Sequence, residues 1–170
     1  RLYDGPCSLD YLFRKSWFDQ GTYELTHLAD YLRSNPTQQV ARPSQSSWGY
    51  KGFHEYWLNE TNSWIYPHLH KAAERMNAPA RHEPADELQW RALNQAAREL
   101  LLAQSSDWAF IMRTGTMVPY AVRRTRGHLM RFNKLWEDIQ AEKVDAGWLE
   151  KVEEIDNIFP NVNYRTYRSL

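Results

Sequence analysis

Six histidines and one cysteine are the residues of this 170-residue chain best suited to metal binding or nucleophilic work, and their spacing equips them for neither. His68-Leu69-His70 sends two rings to different sides of a helix, because side chains that face one another lie three or four residues apart. No His-x-x-x-His or His-Glu-x-x-His pattern is present, so solvated or hydrogen-bonded histidines are expected, and no metal site. Cys7 has no matched histidine in a recognisable frame, so a buried or idle thiol is expected. As the one cysteine it also leaves no internal disulfide, which suits a reducing, cytoplasmic compartment. The sequence has no glycine-rich phosphate cradle and no Gly-x-Ser-x-Gly elbow, so no cofactor is expected.

The aromatic residues offer more. The chain has 8 Trp, 10 Tyr and 6 Phe, and eight indoles are more than a small core buries with every N–H partnered. A solvent-facing aromatic surface is therefore expected, with sugars, bases or protein partners as candidate ligands. Ser46-Ser47-Trp48-Gly49 and Trp57-Leu58-Asn59-Glu60-Thr61-Asn62-Ser63-Trp64-Ile65-Tyr66 are the stretches to weigh. A pyranose ring has an apolar C–H face and a rim of hydroxyls, so a protein binds it with an indole below and amides, carboxylates or hydroxyls around the edge. Trp48 lies in a polar loop without core periodicity and is expected to be exposed. Trp57 and Trp64 are seven apart and can share one helical face; Trp64 is expected in the core, and Trp57 is open between core and platform. In Ser105-Ser106-Asp107-Trp108, Asp107 is expected first as a helix N-cap, whose second oxygen remains free for a sugar hydroxyl. Thr116, following Gly115, is likewise expected to cap a helix and keep an accessible hydroxyl.

The elements that must position these residues are helical. Apolar spacing predicts a helix over 6–18 carrying Leu9, Leu12, Phe13 and Trp17 on one stripe, and a short helix capped by Thr26 and ended by Asn35-Pro36. A loop over 36–52 follows, then a helix capped by Asn62 or Ser63 and running to about Met76. Asp86 is expected to cap a helix through Gln104, with Trp90, Leu93, Ala97, Leu100 and Leu101 on its apolar face. A short helix ends at Gly115, and a long one runs over about 116–142, burying Val122, Leu129, Phe132, Trp136 and Ile139. The last begins at an Asp145 cap and reaches about Ile158. The expected fold is an all-α bundle with one long ordered loop, divided into a first helical segment, 1–35, and a larger helical domain, 36–170.

Lys+Arg 21 balances Asp+Glu 21, which disfavours a surface devoted to nucleic acid or to an anionic membrane. The longest aliphatic run, Leu100-Leu101-Leu102-Ala103, is far too short to span a bilayer. Residues 113–134 hold six basic side chains and no acid, and 137–156 hold eight acids and two lysines, so these segments are expected to pair with each other or with solvent. Arg1 rather than methionine opens the sequence, and no signal-peptide pattern follows it, so a longer parent protein is expected.

Taken together, Ser-Ser-Trp-Gly, Trp-Leu-Asn-x-x-Asn-x-Trp-Ile-Tyr, the run Leu93-Asn94-Gln95-Ala96-Ala97-Arg98-Glu99-Leu100-Leu101-Leu102-Ala103-Gln104-Ser105-Ser106-Asp107-Trp108-Ala109-Phe110, and the Phe159-Pro160-Asn161 ending resemble the C-terminal helical region of family 57 glycoside hydrolases. The nearest resemblance is to their 1,4-α-glucan branching enzymes. It implies an upstream (β/α) barrel that holds a Glu nucleophile and an Asp acid/base for retaining transglycosylation, with no catalytic carboxylate in this chain. Tyr3-Asp4-Gly5-Pro6 resembles the element that follows the acid/base aspartate, with Asp4 in place of the family's Glu and Arg1-Leu2 in place of tryptophans. The same resemblance implies that Trp48 and Trp57 lie beside the cleft, that Asp107 contacts substrate, and that Thr116 stands where some relatives have a binding Gln. The implied ligand is an α-1,4-glucan such as glycogen, amylose or a maltooligosaccharide, and the implied role is the acceptor side of the cleft. A stand-alone glucan-binding module, a helical protein-interaction bundle, and a domain of a 4-α-glucanotransferase or α-amylase of the same family are the alternatives.

Overall fold

The computed structural model describes residues 4–168, and these are helical, with no strand among them. They form two compact units that divide between Gln45 and Ser46. Arg1, Leu2 and Tyr3 lie outside the described residues, and with them the start of the Tyr3-Asp4-Gly5-Pro6 element.

In the first unit, α1 spans Asp4–Phe18 and α2 spans Leu28–Ser34. The α1 helix begins two residues before Pro6, and Asp4 gives it an acid in the first turn, where the helix dipole favours negative charge. Exposed pairs at i,i+4 spacing, Arg14 with Asp10 at 2.8 Å and Lys15 with Asp19 at 3.3 Å, lie along it. Gln20 shapes the turn that follows. Its Oε1 accepts from the backbone N–H of Thr22 and Tyr23, and its Nε2 donates to the Tyr23 carbonyl. The stripe of Leu9, Leu12, Phe13 and Trp17 is more than half exposed at every position, and Cys7 is exposed rather than buried. Thr26 does not cap α2: its hydroxyl donates to the His27 carbonyl at 3.3 Å, and His27 itself occupies the N-cap without a side-chain bond.

The second unit holds α3 (Ile65–Asn77), α4 (Glu87–Ala103), α5 (Ser106–Thr114), α6 (Val118–Gln140) and α7 (Ala146–Ile155). Helix α4 lies along α6; α3 and α5 also pack on α6, and α7 packs on α4. Small residues explain the close α4–α6 approach. Ala92, Ala96, Ala97 and Ala103 are buried on α4 and Ala121 on α6, while Leu100, Phe132 and Leu135 fill the space between. Asp86 and Asp145 cap as expected, accepting from Gln89 N–H and Trp148 N–H. Gly115, at φ 77°, closes α5 in the left-handed conformation that favours glycine. The tail folds back: Tyr164 is fully buried, its N–H donates to Asn94 Oδ1 at 2.9 Å, and its hydroxyl donates to the His82 carbonyl.

Several local expectations are corrected here. Asn62 and Ser63 do not cap α3; Trp64 holds the N-cap position, and the Asn62 amide is committed elsewhere. Ser105, not Asp107, is the N-cap residue of α5, and Met117, not Thr116, is that of α6. On α4, Trp90 and Leu101 are exposed because the buried face is narrower than the apolar stripe. Trp64, Val122 and Trp136 pack against the core while remaining partly exposed.

A buried ionic cluster ties α4, α6 and the end of α7 together. Glu99 and His128 are fully buried, and His128 Nδ1 lies 2.6 Å from Glu99 Oε2. Arg131 Nη1 sits 3.0 Å from Asp156 Oδ2 and 3.7 Å from Glu99 Oε2, and Arg124 approaches Asp156 at 3.6 Å. Gln95 Nε2 donates to Glu99 Oε1 at 3.0 Å. The basic and acidic segments thus do meet, through Arg124, Arg131 and Asp156, and Glu99 of α4 joins them.

Burial pushes the Glu99 carboxyl above the ordinary value of 4.5, outweighing the hydrogen bond from His128. The folded state therefore holds this proton more tightly than the unfolded chain. The stability that it contributes is complete below 4.5 and is lost as pH climbs through the raised value. Glu99→Gln removes this loss, so the variant should gain stability relative to the wild type as pH rises from 4.5 to neutrality. Urea unfolding midpoints measured on both proteins across that range check the sign.

Candidate functional site

The aromatic loop is built by short-range hydrogen bonds. Ser47 N–H donates to the Gly52 carbonyl at 2.6 Å, and the Ser47 hydroxyl donates to the Phe53 carbonyl at 2.7 Å while accepting from Gly49 N–H at 3.1 Å. Lys51 and Gly52 both take positive φ to turn the chain. Gly49 is required for space: a Cβ there would stand 2.5 Å from the Phe53 carbonyl oxygen. The loop closes on itself with Trp48 at its edge, and that indole is 76% exposed, where a soluble domain ordinarily hides one.

Trp48 is not isolated. Its ring centroid lies 6.1 Å from Trp57, 6.1 Å from Tyr56 and 5.9 Å from Phe110. Phe110 is 5.4 Å from Tyr56 and 6.0 Å from Trp57. All these spacings fall within the range in which aromatic pairs attract. Trp57, left open by the sequence, is half-buried and belongs to this cluster rather than to the core. Its carbonyl accepts a hydrogen bond from the Tyr66 hydroxyl. The buried Asn62 amide fastens the cluster to α5: Nδ2 donates to the Tyr56 carbonyl at 3.0 Å and to the Ala109 carbonyl at 3.1 Å, and Oδ1 accepts from Asn59 N–H at 2.9 Å.

Asp107 and Thr116 bracket the same helix. Asp107 is exposed in the first turn of α5, accepting from the Ser105 hydroxyl at 2.5 Å, and lies three residues before Phe110 on one helix face. Thr116 is exposed beyond Gly115, its hydroxyl 3.3 Å from that of Thr114. Nine helical residues at about 1.5 Å each put roughly 13 Å between the two ends of α5. Trp48 and Trp57 are therefore brought together, Asp107 shares the helix that backs them, and Thr116 stands at its far end. Asp107 remains free to offer its second oxygen, since it does not cap the helix.

The first turn of α5 is also clamped from the core side. Trp108 Nε1–H donates to the Leu102 carbonyl at 2.7 Å, its ring stacks on His128 at 6.4 Å, and Arg124 lies 5.7 Å above it. Glu99, His128 and Asp156 have ligand atoms within 4.8 Å of one another and, among the described residues, form the cluster with metal-ligand chemistry to offer. The Arg131 and Arg124 guanidiniums beside Asp156 already supply the cations that these carboxylates need. Sequence reading missed this cluster, and it missed Tyr56 and Phe110 as partners of the tryptophans. The signal for Phe110 was its spacing of three from Asp107.

A family model for the C-terminal region of 1,4-alpha-glucan branching enzymes matches residues 68–167. The chain belongs to that family. It is 38% identical over 130 residues to a 1,4-alpha-glucan branching enzyme of Thermococcus kodakarensis, covering 74% of this chain and 19% of that protein. The domain is also similar to the crystal structure of an alpha-amylase from Thermotoga maritima, with a TM-score of 0.72 and 37% identity over 99% of this chain and 31% of the other. A family 57 branching enzyme from Thermococcus kodakaraensis, in complex with glucose, matches with a TM-score of 0.74 and 34% identity over 87% of this chain and 28% of that one. This branching-enzyme C-terminal domain thus spans less than a third of each of these relatives.

Asn62→Ala leaves the Tyr56 and Ala109 carbonyls without their shared donor in a buried setting. Unfolding free energy should fall by about 2–3 kcal/mol. Urea titration measures it, and Asn62→Asp should not restore the loss because a carboxylate cannot donate two hydrogen bonds.

Proposed function

We propose that this domain is the acceptor-side wall of an α-glucan branching enzyme and has no catalytic activity alone. In this reading the two carboxyls of a retaining mechanism, about 5–5.5 Å apart, sit in an upstream barrel. Transfer to a second glucan rather than to water needs an acceptor held in attack geometry with water displaced. Trp48 serves as the open shelf for a glucose ring, Trp57 flanks it, and Asp107 and Thr116 accept or donate hydrogen bonds along the α5 edge. Glycogen-like, amylose-like and maltooligosaccharide chains are the acceptors, and the cytoplasm is where the enzyme works. The exposed α1 stripe is apolar surface of the kind that a barrel would cover.

One observation carries this reading: Trp48 keeps 76% of its surface open while three other rings hold it in place. A ring so held loses little freedom on binding, so its contact area goes into affinity. The relatives' names support the substrate class, and the glucose in the Thermococcus kodakaraensis crystal is consistent with sugar binding by that enzyme.

In the enzyme that contains this domain, Trp48→Ala should reduce α-1,6 branch formation roughly tenfold, equivalent to about 1.4 kcal/mol. Hydrolysis, read as reducing ends released without branching, should change far less. Equal loss of both activities, or no loss, would refute the acceptor role of Trp48.

A further inference from the structure

We propose that Phe110 is a positioning residue for glucan binding, acting through Trp48 and Trp57 and fixing their placement relative to Asp107. The inference rests on the reading of Trp48 as a sugar shelf, and goes on to name what holds the shelf.

Four observations converge on this ring. Phe110 lies within 6.0 Å of Trp48, Tyr56 and Trp57 alike, and its approaches to Trp48 and Trp57 are closer than theirs to one another. None of the four rings belongs to the hydrophobic core, so this satellite cluster is not what holds the helices together. Phe110 follows Ala109, whose carbonyl receives the Asn62 amide that also binds Tyr56, so the same buried side chain sets both sides of the stack. Asp107 occurs one turn earlier on the face of α5 that carries Phe110.

The consequence is geometric. The Trp48 loop closes through its own backbone and Ser47, so its internal bonds do not determine where it sits on α5. Contacts between rings do that, and Phe110 supplies the ring on the α5 side. A flat ring allows the tilted approach of both indoles, at 51° for Trp48 and 35° for Trp57, which a branched aliphatic side chain does not reproduce. A bound chain spanning the indole shelf and the Asp107 carboxylate would feel any drift between them, because small misplacements in a binding constellation are costly.

The test uses the 170-residue chain with Phe110→Leu, Phe110→Met and Phe110→Tyr. Two quantities are read: the exciton couplet of the Trp48–Trp57 pair in circular dichroism, isolated by subtracting Trp48→Phe protein, and the dissociation constant for maltoheptaose titrated to millimolar concentration. Phe110→Leu and Phe110→Met should lose most of the couplet and weaken maltoheptaose binding about tenfold, while the thermal midpoint moves little; Phe110→Tyr should retain both. A couplet that survives in Phe110→Leu or Phe110→Met overturns the proposal, as does loss of both readouts in Phe110→Tyr to the same extent. If the wild-type chain does not bind maltoheptaose on its own, the stand-alone-module reading fails, the Trp48→Ala branching assay judges the shelf, and the couplet alone decides whether Phe110 positions the indoles.

Discussion

A single buried amide, that of Asn62, connects the irregular segment that carries the aromatic rings to the regular helix that carries the polar ones. Its Nδ2 donates to carbonyls on both sides, at Tyr56 and at Ala109, and its Oδ1 closes the turn at Asn59. Without water to replace them, such bonds are expensive to leave unmade, so the amide imposes one relation between the two segments. Asn62 sets the Tyr56 segment against α5, and the Tyr66 hydroxyl on the Trp57 carbonyl and the ring contacts with Phe110 then place Trp57 and the Trp48 loop upon it. An asparagine at a helix start usually looks outward to the next turn. Here it looks inward, to the Tyr56 and Ala109 carbonyls.

On the opposite side of α5, Trp108 rests between His128 and Arg124, both members of the buried ionic cluster. Burying two carboxylates, a histidine and parts of two guanidiniums is costly, and well-packed apolar residues could often provide equal or greater stability. What charges offer in addition is direction. Arg131 can satisfy Asp156 and approach Glu99 only from one angle, and Glu99 can meet His128 only if α4 and α6 keep one register. The cluster therefore selects a helix arrangement as well as contributing to its stability, and the first turn of α5 inherits that register through the Trp108 indole.

Which of these features were legible in the sequence follows from how local each one is. The seven α-helices among the described residues, the Asp86 and Asp145 caps and the Gly115 stop depend on neighbours within a turn, and apolar spacing with cap chemistry found them. Trp48 could be read as exposed because its loop has no period that would carry it into a core. Thr26, Asn62, Asp107 and Thr116 all had the side chains of caps, yet none caps, since local hydrogen-bonding groups also serve turns and distant carbonyls. Glu99 and His128 are 29 residues apart in sequence, and neither the charge pattern nor helical spacing signals that the two will meet inside the core. Phe110 lay in full view within a recognisable run, but as one apolar residue among many, and only the position of the loop above α5 reveals what it touches.

The separation between the aromatic cluster and the main core has a further meaning for how such a domain could change. Residues of the core answer to packing, where a lost methylene already carries a penalty. The four rings are outside that constraint, so their replacement changes the surface with little effect on whether the helices assemble. Membership of the branching-enzyme C-terminal family rests on residues 68–167, which include all of α4 and α6 and the ionic cluster, whereas Trp48, Tyr56 and Trp57 lie before that stretch. The domain thus divides its duties along the chain: a helical body fixed by buried charge, and an aromatic margin joined to it by the Asn62 amide, the Tyr66 hydroxyl and the Phe110 ring. A surface built this way holds its rings in place because the helical support beneath them is itself fixed.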